Sequence, residues 1–247
     1  MTVTLNAIPH GDAAGPPLLI AHGLFGSARN WGAVAKRLSA ARAVRAVDLR
    51  NHGHSPWAET HSYQDLADDL AGALEGPSDV LGHSMGGKAA MVLALAQPDL
   101  VRRLIVADIA PVGYGHTQTP LIHAMRRADL SNVTRRSEVE LDVPDPGTKA
   151  FLLQSVDVEG KRWRLNLDVL EREMDRIIGF PEVSGTYQGP VLFLTGRASD
   201  YVRAEHHDRI RAPFPNVEFE AIEGAGHWLH AEKPREFVAA VEGFLSR

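Results

Sequence analysis

A serine hydroxyl attacks an acyl carbonyl only when a neighbouring base accepts its proton. The stretch Gly82-His83-Ser84-Met85-Gly86 sets a serine where such chemistry is feasible. It reads Gly-x-Ser-x-Gly, with the apolar Asp79-Val80-Leu81 before it and a small-residue, helix-forming run after it. A strand that turns sharply into a helix at Ser84 would lift the hydroxyl clear of a sheet. Strand and helix pass closely at such a turn, and glycine at 82 and 86 removes side chains that would collide.

The base must come from among 12 histidines. His227 lies in Gly224-Ala225-Gly226-His227-Trp228, just after the last apolar run, in a glycine-rich loop that lets the ring reach back over a sheet. His83 sits inside the turn with its side chain directed away from the serine's, so it reads as a packing or hydrogen-bonding residue. His52 and His54, in Asn51-His52-Gly53-His54-Ser55, read as an exposed loop. An H-x-H pair could ligate zinc, but the carboxylate and further histidines of a hydrolytic metal site do not follow it. His206 and His207 read as surface residues of a helix, and His230 lacks a third ligand that would make it a metal partner of His227.

A carboxylate must orient the histidine and stabilise the imidazolium formed on proton transfer. Asp108 ends the run Leu104 to Ala107. Asp200 lies in Gly196-Arg197-Ala198-Ser199-Asp200, after the run Val191 to Leu194. Either gives the chain order Ser, Asp, His; Asp48 precedes the serine and breaks it. Backbone donors for a tetrahedral oxyanion are expected from Ala21-His22-Gly23-Leu24-Phe25-Gly26 and from the start of the helix after Ser84. The candidates are Leu24 and Met85, with Phe25 close by, and His22 as a brace of the loop.

Positioning these groups requires a sheet. Short continuous apolar runs (Leu18 to Ala21, Ala43 to Val47, Asp79 to Leu81, Leu104 to Ala107, Val191 to Leu194, Val217 to Ile222) alternate with helical stretches at Asn30–Ala40, Tyr63–Leu74, Ser84–Ala96, Arg203–Ile210 and Pro234–Leu245. Continuous rather than alternating apolar runs suit parallel strands covered on both faces. The pattern predicts a doubly wound, mostly parallel α/β sheet, with Val3 to Ile8 as a short antiparallel edge strand. From Pro111 to Gly189 no convincing strand appears, and Trp163 to Ile178 reads as one amphipathic helical run. The expected organisation is a core of residues 1–110 and 190–247, with a helical insertion of 111–189 over the C-terminal edge of the sheet.

Composition narrows the function classes. A chain of 247 residues buries enough surface to fold without disulfides or a metal. It has no cysteine, which excludes a thiolate nucleophile and a cysteine zinc site and fits a reducing compartment. A formal charge of −5 names no polyanionic partner, and the doublets Arg126-Arg127 and Arg135-Arg136 read as solvated helix faces rather than a nucleic-acid patch. No leader and no bilayer-length apolar run is present, so a soluble cytoplasmic protein without a membrane partner is expected.

Four segments recur together in one known group: His22 to Ser27, Asp48 to Pro56, Gly82 to Lys88 and Gly224 to Trp228. In this order and spacing they resemble the YbfF-type esterases and their relatives, the mitochondrial α/β-hydrolase domain proteins. The resemblance covers the core nearly end to end and leaves the insertion poorly specified. It implies the α/β-hydrolase fold with a small helical cap. It also implies a serine hydrolase, free of cofactor and metal, that acts on short- to medium-chain acyl esters or thioesters. Most α/β hydrolases carry the acid three residues after the glycine of the later loop, where this chain has Ser199; Asp200 is shifted by one. The resemblance places the acid after the strand preceding the cap, which matches Asp108, with Ser199 as an auxiliary partner of the histidine.

Two rival classes share the frame. A carbon–carbon bond hydrolase or menaquinone-type lyase would turn a cation such as Arg50, Lys88 or Arg126 toward a carboxylated substrate. A receptor with vestigial turnover would not need the complete set of serine, acid and base. Leu121, Met125, Leu152, Trp163 and Leu167 are candidates either for a cavity wall or for internal cap core.

Overall fold

The computed structural model describes residues 1–247. The chain opens with β1 (Ala7–His10) and β2 (Leu18–Ala21), then α1 (Gly32–Leu38), β3 (Val44–Val47), α2 (Tyr63–Gly72), β4 (Ser78–His83), α3 (Met85–Ala96) and β5 (Val101–Ala107). An insertion follows with α4 (Thr119–Arg127), α5 (Pro146–Leu153), a two-residue hairpin of β6 (Val156–Asp157) and β7 (Arg162–Trp163), α6 (Leu167–Arg172) and α7 (Met174–Ile178). The chain returns through β8 (Val191–Gly196), α8 (His207–Arg211), β9 (Val217–Ile222), α9 (Leu229–Glu232) and α10 (Pro234–Leu245).

Seven strands form one sheet in the order β1-β3-β2-β4-β5-β8-β9. Only β1 is antiparallel; it pairs with β3 in the register Ala7↔Val47 to His10↔Val44, a few residues later than the sequence pattern placed it. This is the mostly parallel α/β sheet that the apolar runs predict. Strand β9 departs from the continuous pattern: Glu218 and Glu220 are exposed while their neighbours are half-buried. At the sheet's edge one face lacks a full cover, and outward charges discourage pairing with a second sheet.

Two apolar layers flank the sheet. Val34 and Leu38 of α1 pack with Phe237, Val241 and Phe244 of α10 on one face. Leu66 and Leu70 of α2, the whole length of α3, and Ile210 of α8 fill the other. Helix α3 is apolar nearly all round (Ala89 to Ala94 are fully buried), as expected of a helix enclosed by protein. The capping box of Ser62 and Asp65 starts α2, and Pro234 opens α10 where its missing N–H costs nothing.

The insertion runs between β5 and β8, and its apolar side chains Ile122, Met125, Leu152, Trp163, Leu170 and Met174 are continuous with the α2/α3 layer. The amphipathic run expected from Trp163 to Ile178 is two short helices with a break at Glu173, preceded by the β6–β7 hairpin. Asn166 caps the first of them through Val169 N, which sets its start inside that run. The insertion is tied to the core by Asn166 N to Asn51 O at 2.9 Å, Gly53 N to Arg164 O at 2.8 Å, and Tyr63 Oη to Ile177 O at 2.5 Å. No helix is long and apolar enough to cross a membrane.

Candidate active site

The groups of interest gather at the C-terminal ends of the parallel strands, where ligands bind in open α/β sheets. Ser84 follows β4 directly with φ 52° and ψ −120°, a left-handed backbone that a side chain tolerates only when its surroundings enforce it. The enforcement is local. A Cβ on Gly82 would stand 2.3 Å from Gly86 O, and one on Gly86 would stand 2.5 Å from His22 O. Ser84 N donates to Ala107 O of β5 at 3.0 Å, and Ser84 O accepts from Lys88 N as α3 begins.

His227 Nε2 lies 3.1 Å from Ser84 Oγ, and His227 Nδ1 lies 2.7 Å from Asp108 Oδ2. Asp108 is fully buried and also has a positive φ, 51°. Its Oδ1 accepts from Gly196 N at 3.1 Å, and its Oδ2 also accepts from Ser199 Oγ at 2.5 Å. Every carboxylate oxygen is thereby held, and the ring it faces is half-buried. Asp200, the other carboxylate considered from the sequence, is exposed and makes no hydrogen bond to His227.

Leu24 and Met85 line the same cavity as Ser84. The N–H of Leu24 has no partner in the loop after β2, while Met85 opens α3, whose first N–H groups have no intrahelical acceptor. Phe25 is different and corrects the sequence reading. Its N–H donates to His52 Nε2 at 3.2 Å, so it is held by the loop rather than offered to a ligand. His52 is accordingly buried, not exposed; its Nδ1 faces Arg50 O at 2.9 Å. His22 braces the same loop, with Nδ1 on Gly23 O at 2.7 Å and Nε2 accepting from Leu49 N at 2.9 Å. Each ring has one donating and one accepting nitrogen, the pattern of neutral imidazole. Burial pushes the pKa of His22 down and that of His52 well down. His206 is also buried, unlike the surface residue expected, while His54 is half exposed.

A cavity of about 120 Å³ opens on Ser84. Its lining includes Trp31, Tyr63, Lys88, Tyr114, Leu121, Phe151, Leu152, Ile177, Ile178, Trp228 and His230. Of the wall candidates read from the sequence, Leu121 and Leu152 line it. Met125 and Trp163 are buried in the insertion's own core, joined by Trp163 Nε1 to Met125 O at 2.8 Å, and Leu167 lies elsewhere. His83 hydrogen-bonds through Nε2 to His227 O at 2.8 Å, and His230 stacks on Trp31 at 4.2 Å. Arg50 is far from a free cation: it is buried against Asp69 at 2.5 Å and Asp65 at 3.1 Å. Arg126 pairs with Asp168 and Glu171 near the surface.

The model of the alpha/beta hydrolase family matches residues 18–241. The chain belongs to that family. It is 42% identical over 254 residues to the mouse (Mus musculus) sn-1-specific diacylglycerol lipase ABHD11, covering 96% of this chain and 83% of the relative. It is 35% identical to the Escherichia coli esterase YbfF, covering 93% of each. A solved structure of a marine microorganism esterase superposes with a TM-score of 0.92 at 35% identity, covering 98% of this chain and all of the other. As a member of the α/β-hydrolase family the chain shows one further feature that its sequence did not flag. Tyr201 stacks on His227, and Tyr114 donates to Tyr201 O at 2.8 Å. Both tyrosines sit in loops, where side-chain direction has no periodic signature.

Proposed function

We propose that Ser84, His227 and Asp108 act as nucleophile, base and orienting acid in the hydrolysis of short- to medium-chain carboxylic esters or thioesters. The chain is an esterase- or lipase-type α/β hydrolase, a carboxylic ester hydrolase. The observation that supports the finer reading is the continuous line from Ser84 Oγ through His227 to a fully buried Asp108, at 3.1 and 2.7 Å.

Ser84 Oγ attacks the acyl carbonyl as its proton passes to His227 Nε2. Asp108 accepts from Nδ1 and stabilises the imidazolium. The N–H groups of Leu24 and Met85 stabilise the oxyanion, each worth about 3 kcal/mol of the barrier. His227 then protonates the leaving alcohol or thiol as the bond to it breaks, which leaves an acyl-Ser84. Water adds to that acyl group by the same proton route, releasing the acid and restoring the serine. The cavity of about 120 Å³ is small beside the roughly 300–1,000 Å³ of pockets for drug-sized ligands, which supports short acyl groups. The substituents on the insertion, Leu121, Phe151 and Leu152 among them, would then cap the acyl site.

The test is Ser84→Ala assayed on p-nitrophenyl butyrate, with labelling by a fluorophosphonate probe. Loss of turnover and of labelling is expected; near-normal activity in that variant would overturn the assignment of the nucleophile.

A further inference from the structure

The cavity at Ser84 contains one side chain of the Lys, Arg, Asp and Glu class, and it is Lys88. The residue is 1% exposed. Its ammonium donates to Ile178 O at 2.9 Å and to Gly179 O at 2.5 Å, the carbonyls at the end of α7. An ammonium has three donors, so one remains. The rings of Tyr114 and Tyr63 lie 4.8 and 5.7 Å from Nζ, but neither phenol supplies a negative charge. Tyr63 Oη is spent on Ile177 O and Tyr114 Oη on Tyr201 O. Burial pulls the pKa of Lys88 down to about 7, and no carboxylate stands near enough to hold it up.

A buried ammonium without a counter-ion is costly unless function retains it. If Lys88 served only to tie α7 to α3, a neutral donor would do so at less cost. Its position points to a ligand. Ser84 caps α3 and Lys88 lies one turn into it, a pitch of about 5.4 Å, with Ser84 O accepting from Lys88 N at 3.0 Å and both residues lining the cavity. That separation is spanned by a short acyl chain ending in a second carboxylate.

We propose that Lys88 is a specificity-determining residue that receives the terminal carboxylate of a short dicarboxylic half-ester, such as a hemisuccinate or hemiglutarate, while its ester carbonyl lies at Ser84. The inference rests on the ester-hydrolase reading above. For monoethyl glutarate the balance is half-ester anion plus water to glutarate dianion, ethanol and one proton. The free N–H of Lys88 then has an acceptor, and the buried charge has its partner.

Titration sharpens the inference. The groups that face Lys88 are Tyr63 from α2, with Tyr114 and His116 from the insertion. Burial raises both tyrosine pKa values, and His116 is pushed down by burial and by the nearby His227 and Lys88. None of the three gains or loses a proton between pH 7 and 8.5. The preference for a carboxylated ester therefore weakens as pH rises through about 7 and Lys88 becomes neutral.

The experiment compares kcat/KM for monoethyl glutarate and ethyl valerate by NMR of released ethanol, in the full-length protein at pH 6.5. A preference of at least tenfold for the half-ester is expected. Lys88→Met should lower that ratio at least tenfold, and Lys88→Arg should restore part of it. Equal use of the two esters by the unmodified protein, or an equal effect of Lys88→Met on both, overturns the proposal. Should Lys88→Met not fold, the unmodified protein still decides: the ratio must fall between pH 6.5 and 8.5, and a constant ratio rejects it. Cleavage of ethyl valerate without the preference leaves the hydrolase reading standing. Cleavage of neither ester overturns both.

Discussion

The phenol ring of Tyr201 lies flat on the imidazole of His227, with centroids 3.9 Å apart and planes 19° from parallel. Tyr201 also contacts His116 Nε2 through its hydroxyl at 3.0 Å, so the ring is anchored at its far end. The stack restrains the side chain that hydrogen-bonds both Ser84 and Asp108, and an aromatic face would favour the imidazolium of the proposed proton transfer.

Tyr201 is therefore predicted to be a positioning residue. Tyr201→Leu should lower kcat about tenfold, equivalent to about 1.4 kcal/mol, within the range for a desolvated aromatic–cation contact. KM should change little. Tyr201→Phe keeps the ring and should retain most of the activity that Tyr201→Leu loses. A purely structural role would instead show as lost thermal stability in both variants, with kcat and KM moving together.

The acid is separable by exchange of oxygen for nitrogen. Asp108→Asn should reduce kcat by about four orders of magnitude, because an amide favours the wrong tautomer of the histidine. Asp200→Asn should leave turnover within about twofold, as expected of an exposed surface residue. Ser199→Ala removes one of the two donors on Asp108 Oδ2 and should cost an intermediate amount, about 1–2 kcal/mol. Steady-state assays of the three variants on one ester settle the order.

The turn at Ser84 has no room for a methyl group. Gly82→Ala would place a carbon 2.3 Å from the backbone oxygen of Gly86 and 2.7 Å from Gly87 Cα. Backbone cannot swing aside as a long side chain can, so the cost should reach about 3 kcal/mol or more. A large fall in the thermal midpoint is expected; a midpoint within a degree of the unmodified protein would contradict the close packing of β4 and α3.

Acid should destabilise the protein earlier than its carboxylates alone require. His22, His52, His61, His83 and His230 are buried, and burial lowers each pKa, that of His61 and His230 to about 3. These rings are neutral when folded and titrate near 6.5 when unfolded, so the unfolded chain binds more protons between those values. Their stabilising contribution is complete above about pH 6.5 and is lost as pH falls below it, down to about 3 for His61 and His230. Urea midpoints should drop steadily from pH 7 to pH 4. His230 Nδ1 is buried without a partner beside Trp31. His230→Phe should keep the aromatic stack and raise the midpoint at pH 4.5 relative to the unmodified protein.

Much of the sheet was legible in the order of residues. Continuous apolar runs mark strands buried on both faces, and α10 begins at Pro234 and ends at Leu245, as the pattern reads. The ends of other elements moved: 3-10 turns at Ala28–Trp31 and Ala204–His206 take over the first residues of two expected helices. The insertion was least legible. Helices as short as α6 and α7 carry too few turns for a period to stand out, and their breaks are fixed by caps and by contacts with the core.

What the sequence determined by itself was local and type-bound: a serine between glycines after a strand, a histidine in a glycine-rich loop, and donors at a helix start. What only the tertiary structure decided was direction. It chose Asp108 over Asp200 as the neighbour of His227, turned Phe25's N–H to His52, stacked Tyr201 on the imidazole and brought Lys88 rather than Arg50 to the cavity. The physical reason is that hydrogen-bond and charge partners here lie dozens of residues apart, so which pair is made depends on strand order and loop path, and not on spacing along the chain.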